Sequence, residues 1–177
     1  GPWPPPTIRG TRTCAVRGRR PIPGCRWSGV RRPHDPPDRV PIMEGLTKLA
    51  PGAGHVGLAE REEREPAAGE VLIEVHGAGI CGTDLHIEAG EFPTRPPVTM
   101  GHEVAGTVIS VGDGVEPAWL GATVVSETYF STCGTCRWCR DGRTNLCPDR
   151  RSIGSLVDGA FAPRLVVPAI NLHRIPE

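Results

Sequence analysis

The apolar residues of this chain fall into short runs separated by glycine and proline, with no long periodic stretch. Four runs combine β-branched residues or loose alternation with bordering turn residues, as strands do. They lie at positions 71–75, 104–111, 122–126 and 165–167. No run carries an amphipathic helical stripe of ordinary length. From Met43 onward the pattern therefore predicts an all-β domain built as a small barrel.

The first 42 residues differ in composition from the rest. They contain ten of the twenty prolines and nine arginines, and they show no strand or helix period. Such a segment buries too little apolar surface to offset the entropy lost on ordering. We expect residues 1–42 to be a disordered Pro/Arg-rich leader that need not be native, with a basic interaction arm as the alternative. The folded domain would then occupy residues 43–177.

Charge also separates the two segments, with a net charge of +7 in residues 1–42 and −7 in residues 43–177. The acidic segment gives no reason to expect a nucleic-acid partner, and no stretch approaches the roughly 18 apolar residues of a membrane span. The N-terminus lacks the apolar run of a secretory signal. We therefore expect a cytoplasmic protein with reduced thiols. Cys14 and Cys25 have no nearby ligand partners, and the other five cysteines lie in the acidic segment.

Residues 52–57 match the letters of a dinucleotide-binding fingerprint, G-x-G-x-x-G. That fingerprint binds a pyrophosphate only when a strand precedes it and a packed helix follows. Here Pro51 precedes it, and the charged stretch 58–65 has almost no apolar face to lay on a sheet. We therefore predict a hairpin loop here and no nucleotide site.

The most specific motif consists of four cysteines with the spacing C-x2-C-x2-C-x7-C: Cys133, Cys136, Cys139 and Cys147. Four thiolates satisfy the tetrahedral coordination of zinc, and two-residue spacers let successive sulfurs reach one ion. Such a site leaves no position for water or substrate, so the zinc would be structural. The alternatives are four unrelated buried cysteines or a redox C-x-x-C pair. The overlapping pairs with a fourth cysteine favour the metal.

Two shorter motifs, Cys81-Gly-Thr-Asp-Leu-His86 and Gly101-His-Glu-Val-Ala-Gly106, lie about twenty residues apart. Each is weak alone, but together they offer a thiolate, an imidazole and a carboxylate. A catalytic zinc takes three such ligands, keeps one position open and acts there as a Lewis acid on an alcohol or carbonyl oxygen. Thr83 and His86 are candidates for carrying a released proton outward, because both form hydrogen bonds and histidine titrates near neutrality.

On these motifs, residues 43–177 resemble the N-terminal catalytic domain of the medium-chain zinc-dependent alcohol dehydrogenases, in particular the branch of sorbitol (polyol), threonine and butanediol dehydrogenases. Cys81-Gly-Thr-Asp resembles the first zinc-ligand motif of the family, and the spacing Gly101-His-Glu-x2-Gly106-x5-Gly112-x2-Val115 matches its signature. Residues 158–162 and 166–169 resemble a strand that returns toward the catalytic centre. The resemblance implies a GroES-like β-barrel with a zinc-binding lobe.

The resemblance also implies roles for individual residues. Cys81 and His102 would be ligands of a catalytic zinc, and Glu103 would be the third ligand in polyol-type members or lie just behind the metal. Thr83 and His86 would form the proton relay. The four clustered cysteines would hold the structural zinc.

The chain departs from the family pattern in two places. Pro163-Arg164 replaces a usual acidic-aromatic pair, and residues 117–120 replace a turn of the Lys-Val-Gly-Asp type. We expect both changes to affect local packing and not the metal sites.

In this family a Rossmann domain follows the catalytic domain, and we expect none within these 177 residues. Hydride transfer requires the nicotinamide beside the carbinol carbon, so NAD(P) would bind only the full-length enzyme and this chain would be inactive alone. The expected partner is a small alcohol, polyol or ketone, and oligomers would form only through the missing domain. The alternative is a zinc-stabilised GroES-like binding module without catalysis.

Overall fold

The computed structural model of the chain describes residues 41–176. The predictions made for residues 1–40, including those for Cys14 and Cys25, lie outside this range. Most of the described residues that have regular structure are in ten strands: Ile42–Lys48 (β1), Val56–Glu62 (β2), Glu70–Gly79 (β3), Val98–Thr99 (β4), Glu103–Val111 (β5), Thr123–Ser126 (β6), Tyr129–Ser131 (β7), Arg151–Ser152 (β8), Arg164–Pro168 (β9) and Leu172–Arg174 (β10). The prediction of a mainly β fold is confirmed.

Within the described range the strands form three antiparallel sheets, with the orders β2-β1-β4, β10-β6-β5-β3-β9 and β7-β8. The four predicted runs correspond, in chain order, to β3, β5, β6 and β9. These four strands are neighbours in the five-stranded sheet. This sheet carries the hydrophobic core. Its β-branched side chains suit a pleated, buried surface, and burial of each stabilises the fold by roughly 1.5–3 kcal/mol. The most buried are Val71, Ile73, Val108, Val124 and Val167, each no more than 1% exposed.

The sequence pattern did not predict the two strands of the first hairpin, in which β1 pairs with β2 from Ile42 opposite Glu62 to Lys48 opposite Val56. β2 lies at the edge of its sheet, and its alternate residues Leu58, Glu60 and Glu62 are exposed. An edge strand can keep such charged positions in water. Because of its charged composition, this segment was not predicted to be a strand.

The turn of this hairpin contains the G-x-G-x-x-G segment, and carbonyl groups of this turn accept hydrogen bonds from the ammonium group of Lys48. Lys48 is fully buried, and its Nζ donates to the carbonyl oxygens of Gly52 and Gly54 and, at 3.1 Å, to that of Glu88. A phosphate site needs N–H groups directed at an anion, which is the opposite polarity. The prediction of a hairpin loop here is confirmed.

Two short helices, Gly82–Glu88 (α1) and Arg137–Arg140 (α2), connect the strands, together with 3₁₀ turns at Pro117–Trp119, Thr144–Leu146 and Ala169–Asn171. Neither helix is long enough to show a full amphipathic stripe, in agreement with the sequence pattern. Within residues 41–176, no helix has the length and apolar content needed to cross a membrane.

The two departures from the family pattern are both packed against neighbouring elements. Arg164, in β9, donates from Nη1 to both carboxylate oxygens of Glu63, at 2.8 and 2.7 Å. Trp119, in the turn at 117–119, packs partly buried against the core, and the guanidinium of Arg174 lies 4.6 Å from its ring centroid.

Candidate metal centres

The four clustered cysteines converge on one point. The Sγ atom of Cys133 lies 3.5 Å from that of Cys147 and 3.9 Å from that of Cys139, and the Sγ atoms of Cys136 and Cys139 are 3.6 Å apart. A tetrahedron with Zn–S bonds of about 2.3 Å places its sulfurs about 3.8 Å apart, so these spacings fit a single ion. They are too long for disulfides, which need about 2.05 Å. The four residues together could hold one metal ion.

Backbone amides adjust the acidity of these sulfurs. The N–H groups of Thr135 and Cys136, with the thiol of Cys147, lower the pKa of Cys133 to about 6. The N–H of Cys133 lowers the pKa of Cys147, but burial and hydrogen bonds with the sulfurs of Cys133 and Cys139 outweigh it and raise that pKa to about 11. At neutral pH Cys133 is therefore a thiolate, whereas Cys147 must lose a proton before it can bind a metal.

The segment that carries these cysteines, residues 132–150, is called the cysteine lobe below. Cys147 is its one buried residue. Its Trp138 ring contacts the guanidinium groups of Arg137 and Arg143, at 4.0 and 4.5 Å from the ring centroid, at the surface. A segment with so little apolar burial gains little folding free energy of its own, so a metal ion held by the four sulfurs would add stability that the lobe lacks.

A second candidate metal site, called the second metal group below, consists of Cys81, His102 and Glu103, whose ligand atoms all lie within 4.8 Å of one another. They meet because β3 and β5 pair with Gly79 opposite Glu103, so that Cys81, just beyond β3, faces the start of β5. Cys81 and His102 are partly buried, whereas Glu103 is exposed. A thiolate, an imidazole and a carboxylate with one accessible side make a donor set typical of a catalytic zinc.

Two glycines make this arrangement possible. A Cβ at Gly79 would overlap the carboxylate Oε2 of Glu103, so the missing side chain gives Glu103 room to cross toward the other two residues. Gly101, just before His102, has φ of +89°, and a Cβ there would lie 2.6 Å from the Phe161 ring. Only glycine adopts this backbone conformation without strain. Both positions therefore serve to place the ligands.

The two residues predicted to relay protons occupy different environments. The Oγ1 of Thr83 lies 3.7 Å from the Sγ of Cys81. His86, one turn later in α1, has a side chain that is 62% exposed, and its Nδ1 lies 2.7 Å from Oε2 of Glu91. Thr83 is thus beside the metal group, while His86 is at the surface.

A cleft of about 230 Å³ adjoins the metal group. It is lined by the apolar residues Ile87, Phe92 and Ile153, by the hydroxyl-bearing residues Thr83, Thr128, Ser152 and Ser155, and by His102 and Arg150. Because His102 belongs both to the metal group and to this lining, a small molecule in the cleft would lie beside the metal.

Comparison with known proteins agrees with this geometry. Residues 67–177 match the family described as the alcohol dehydrogenase GroES-like domain. The chain belongs to this family. Over 134 residues it is 39% identical to a sorbitol dehydrogenase of Halalkalibacterium halodurans, and over 139 residues it is 42% identical to an L-threonine 3-dehydrogenase of Pyrococcus horikoshii. A D-arabitol-phosphate dehydrogenase of Enterococcus avium is 38% identical over 137 residues.

Solved structures of dehydrogenases share the fold of this chain. A zinc-binding dehydrogenase of Sinorhizobium meliloti, bound to NADP, has a TM-score of 0.71 and 37% identity, covering 77% of this chain and 39% of its own. A cobalt- and zinc-bound alcohol dehydrogenase of Pyrobaculum aerophilum has a TM-score of 0.68 and 34% identity, covering 77% and 42%. Each of the three alignments with curated relatives covers 76% of this chain and 39% of the relative. The chain therefore spans about two fifths of the length of these relatives.

One candidate functional residue, Asp84, was missed in the sequence analysis. Asp84 is 3% exposed, its Oδ2 accepts the N–H of Cys81 at 2.9 Å, and its Oδ1 lies 3.6 Å from Nδ1 of His102. A buried carboxylate beside two candidate metal ligands is placed to orient both of them. Its position in the motif Cys81-Gly-Thr-Asp was visible in the sequence, but its burial was not.

Proposed function

We propose that this chain is the metal- and substrate-binding part of a zinc-dependent alcohol or polyol dehydrogenase. In its intact form such an enzyme would transfer a hydride from a secondary alcohol to NAD(P). The observation that carries the proposal is the convergence of Cys81, His102 and Glu103 beside a cleft. Membership of the alcohol dehydrogenase family supports it.

Cys81, His102 and Glu103 would hold the catalytic zinc. The Nδ1 of His102 faces the carboxylate of Asp84, which leaves Nε2 as the nitrogen available to the metal. When bound, zinc supplies a Lewis acid that polarises an alcohol or carbonyl oxygen and lowers the pKa of a hydroxyl group. The exposed carboxylate of Glu103 completes the donor set on the open side, where the metal remains accessible to substrate.

Thr83 and His86 would move the proton that leaves the substrate hydroxyl. Thr83 lines the cleft, and its hydroxyl can accept and donate a hydrogen bond at the same time. The carboxylate of Glu91 binds Nδ1 of His86, so in the tautomer with Nδ1–H the other nitrogen is free to accept a proton. Since His86 is exposed, it can release that proton to water.

The cysteine lobe would hold a second, structural zinc through Cys133, Cys136, Cys139 and Cys147. Sulfur–sulfur distances of 3.5–3.9 Å support this assignment. With all four positions filled by sulfur, this metal has no place for substrate.

Metal analysis of the purified chain tests the proposal. We expect two zinc ions per chain, and one in Cys81→Ser with the fold retained. A single zinc that survives Cys81→Ser would overturn the catalytic site and favour a zinc-stabilised binding module.

The 177-residue polypeptide alone is proposed to lack NAD(P)-dependent turnover. All ladders between the strands of residues 41–176 are antiparallel, and a dinucleotide-binding domain requires a parallel sheet with its helix N-terminus at the pyrophosphate. Measurable oxidation of sorbitol or 2,3-butanediol with NAD or NADP by the zinc-loaded chain would contradict this.

A further inference from the structure

We propose that the substrate carries an anionic group and that Arg150 is the residue that recognises it. The inference rests on the proposed function, because the cleft is a substrate site only if the adjoining metal group is catalytic. Arg150 lines this cleft together with Thr83 and His102. A molecule that fills the cleft therefore meets a guanidinium as well as a metal ligand.

Two hydroxyl groups hold the guanidinium of Arg150 in place. Nη1 donates to Oγ of Ser152 at 3.0 Å, and Nη2 donates to Oγ1 of Thr128 at 2.8 Å. The ring of Tyr129 lies 5.7 Å from Cζ. These contacts restrict the side chain without neutralising its charge, so little conformational entropy is lost when an anion binds.

Arg150 has no counter-ion among residues 41–176, although it is partly buried. Its Nε–H is buried and lacks a hydrogen-bond partner. A guanidinium has five N–H donors, and the two hydroxyl groups use two of them. In the same range every other arginine without a carboxylate partner is exposed: Arg95, Arg137, Arg140, Arg151 and Arg174. Partial burial of an unpaired cation is costly, and an anion in the cleft would remove that cost.

The lining of the cleft is compatible with such a substrate. None of its lining residues is acidic, so an anion in the cleft does not contact a carboxylate. The apolar side chains of Ile87, Phe92 and Ile153 can contact a short carbon chain between the reacting carbinol and the anionic group. A carboxylate or a phosphate matches the planar fork of arginine through two parallel hydrogen bonds. A neutral polyol would leave the guanidinium unpaired.

Isothermal titration of the zinc-loaded 177-residue chain tests the inference with three probes: sn-glycerol 3-phosphate, 3-hydroxybutyrate and neutral D-arabitol. We expect one or both anions to bind at least about tenfold more tightly than arabitol, because hydrogen bonds to a charged group are strong. Arg150→Met should abolish that advantage over arabitol, whereas Arg150→Lys should keep part of it. Arg151→Met is the matched control, since the neighbouring Arg151 is exposed and does not line the cleft.

The two anions distinguish the source of the charge. An advantage confined to glycerol 3-phosphate indicates a phosphorylated substrate, and one confined to 3-hydroxybutyrate indicates a hydroxy acid; either supports the inference. Equal binding of both anions to the wild type and to Arg150→Met would overturn it. If Arg150→Met does not fold, the Nε–H resonance of Arg150 in the wild-type chain decides, because it must shift on saturation with the bound anion.

Zinc content, measured on the same samples, separates this inference from the proposed function. Two zinc ions with no effect of Arg150 would overturn the anion site and leave the dehydrogenase proposal intact. A single zinc, retained in Cys81→Ser, would overturn the dehydrogenase proposal whatever the anion data show.

Discussion

At the scale of single residues, the second metal group depends on glycine at position 79, which has no side chain. The carboxylate of Glu103 occupies the space that a Cβ at Gly79 would need. The two residues are directly opposite in the β3–β5 ladder, so an added Cβ is accommodated most easily by moving the flexible end of the Glu103 side chain. The smallest possible substitution at Gly79 should therefore act on the metal.

We predict that Gly79→Ala displaces Glu103 and weakens zinc binding at Cys81 and His102 by about 10–100-fold, as changes in the support of metal ligands do. Competition with a chromophoric chelator measures the change. Gly77→Ala, in the same strand, is the control because no atom lies within 4 Å of its added Cβ. Equal zinc affinities in the two variants would contradict the role of Gly79.

The sequence predicted the residues that carry donor atoms but not those that place them. Sulfur, imidazole and carboxylate groups reveal themselves by residue type, so Cys81, His102 and Glu103 could be chosen in advance. The roles of Asp84 and Arg150 depend on burial and on partners distant in sequence, such as Thr128 for Arg150. Residue type and spacing do not encode such tertiary contacts.

At the scale of elements, the cysteine lobe and the five-stranded sheet are stabilised by different means. The sheet has a hydrophobic core, whereas in the lobe Cys147 is the one buried residue. Loss of a ligand should therefore have different effects in the two metal groups.

We predict that Cys136→Ser unfolds or aggregates the lobe, because it removes the metal free energy that orders it. His102→Ala should leave the fold largely intact and empty only the second group. Thermal melts followed by circular dichroism, with zinc content measured in parallel, compare the two. Similar melting curves would contradict the division into a structural and a catalytic zinc.

We also predict that the zinc affinity of the lobe rises with pH. The pKa of Cys147 is about 11, so between pH 6 and 8 this thiol must release a proton, and affinity should rise at least about tenfold per pH unit. Below about pH 6, protonation of Cys133, whose pKa is about 6, should steepen the dependence. Chelator competition on Cys81→Ser measures the lobe alone. A flat profile would show that zinc displaces no proton.

How well each element was predicted follows from its environment. The strands β3, β5, β6 and β9 contribute side chains to the hydrophobic core, so their β-branched runs are recognisable in the sequence. The edge strand β2 carries Glu60 and Glu62 on its exposed face, and its composition resembles that of a loop. α1 is too short to show a period, and its start at Cys81 depends on the local contact with Asp84.

At the scale of the whole molecule, an ion pair joins the end of the first hairpin to the five-stranded sheet. Glu63 follows β2 and Arg164 belongs to β9; the side chains are 9% and 41% exposed. Hydrogen bonds from Arg164 to both carboxylate oxygens raise the pKa of Arg164 further above its ordinary value. Arg164 thus has its partner 101 residues away in the sequence.

We predict a coupling free energy of about 1 kcal/mol between Glu63→Gln and Arg164→Met, at the upper end for exposed pairs because Nη1 contacts both carboxylate oxygens and the Glu63 side chain is only 9% exposed. A double-mutant cycle by urea unfolding of the zinc-loaded chain measures it. The pair Asp141–Arg143, which is 54% and 57% exposed, should give less than about 0.5 kcal/mol. Equal coupling in both pairs would refute the link between hairpin and sheet.

Lys48 is the single lysine of the chain, and its amine is enclosed by the carbonyl groups of the hairpin turn and of the end of α1. A protease that cleaves after lysine has one bond to attack, and that bond becomes accessible only when the turn separates from the helix. The cleavage rate therefore reports a local opening of the molecule. Because α1 begins beside Cys81, occupation of the neighbouring metal group by zinc should slow the cut.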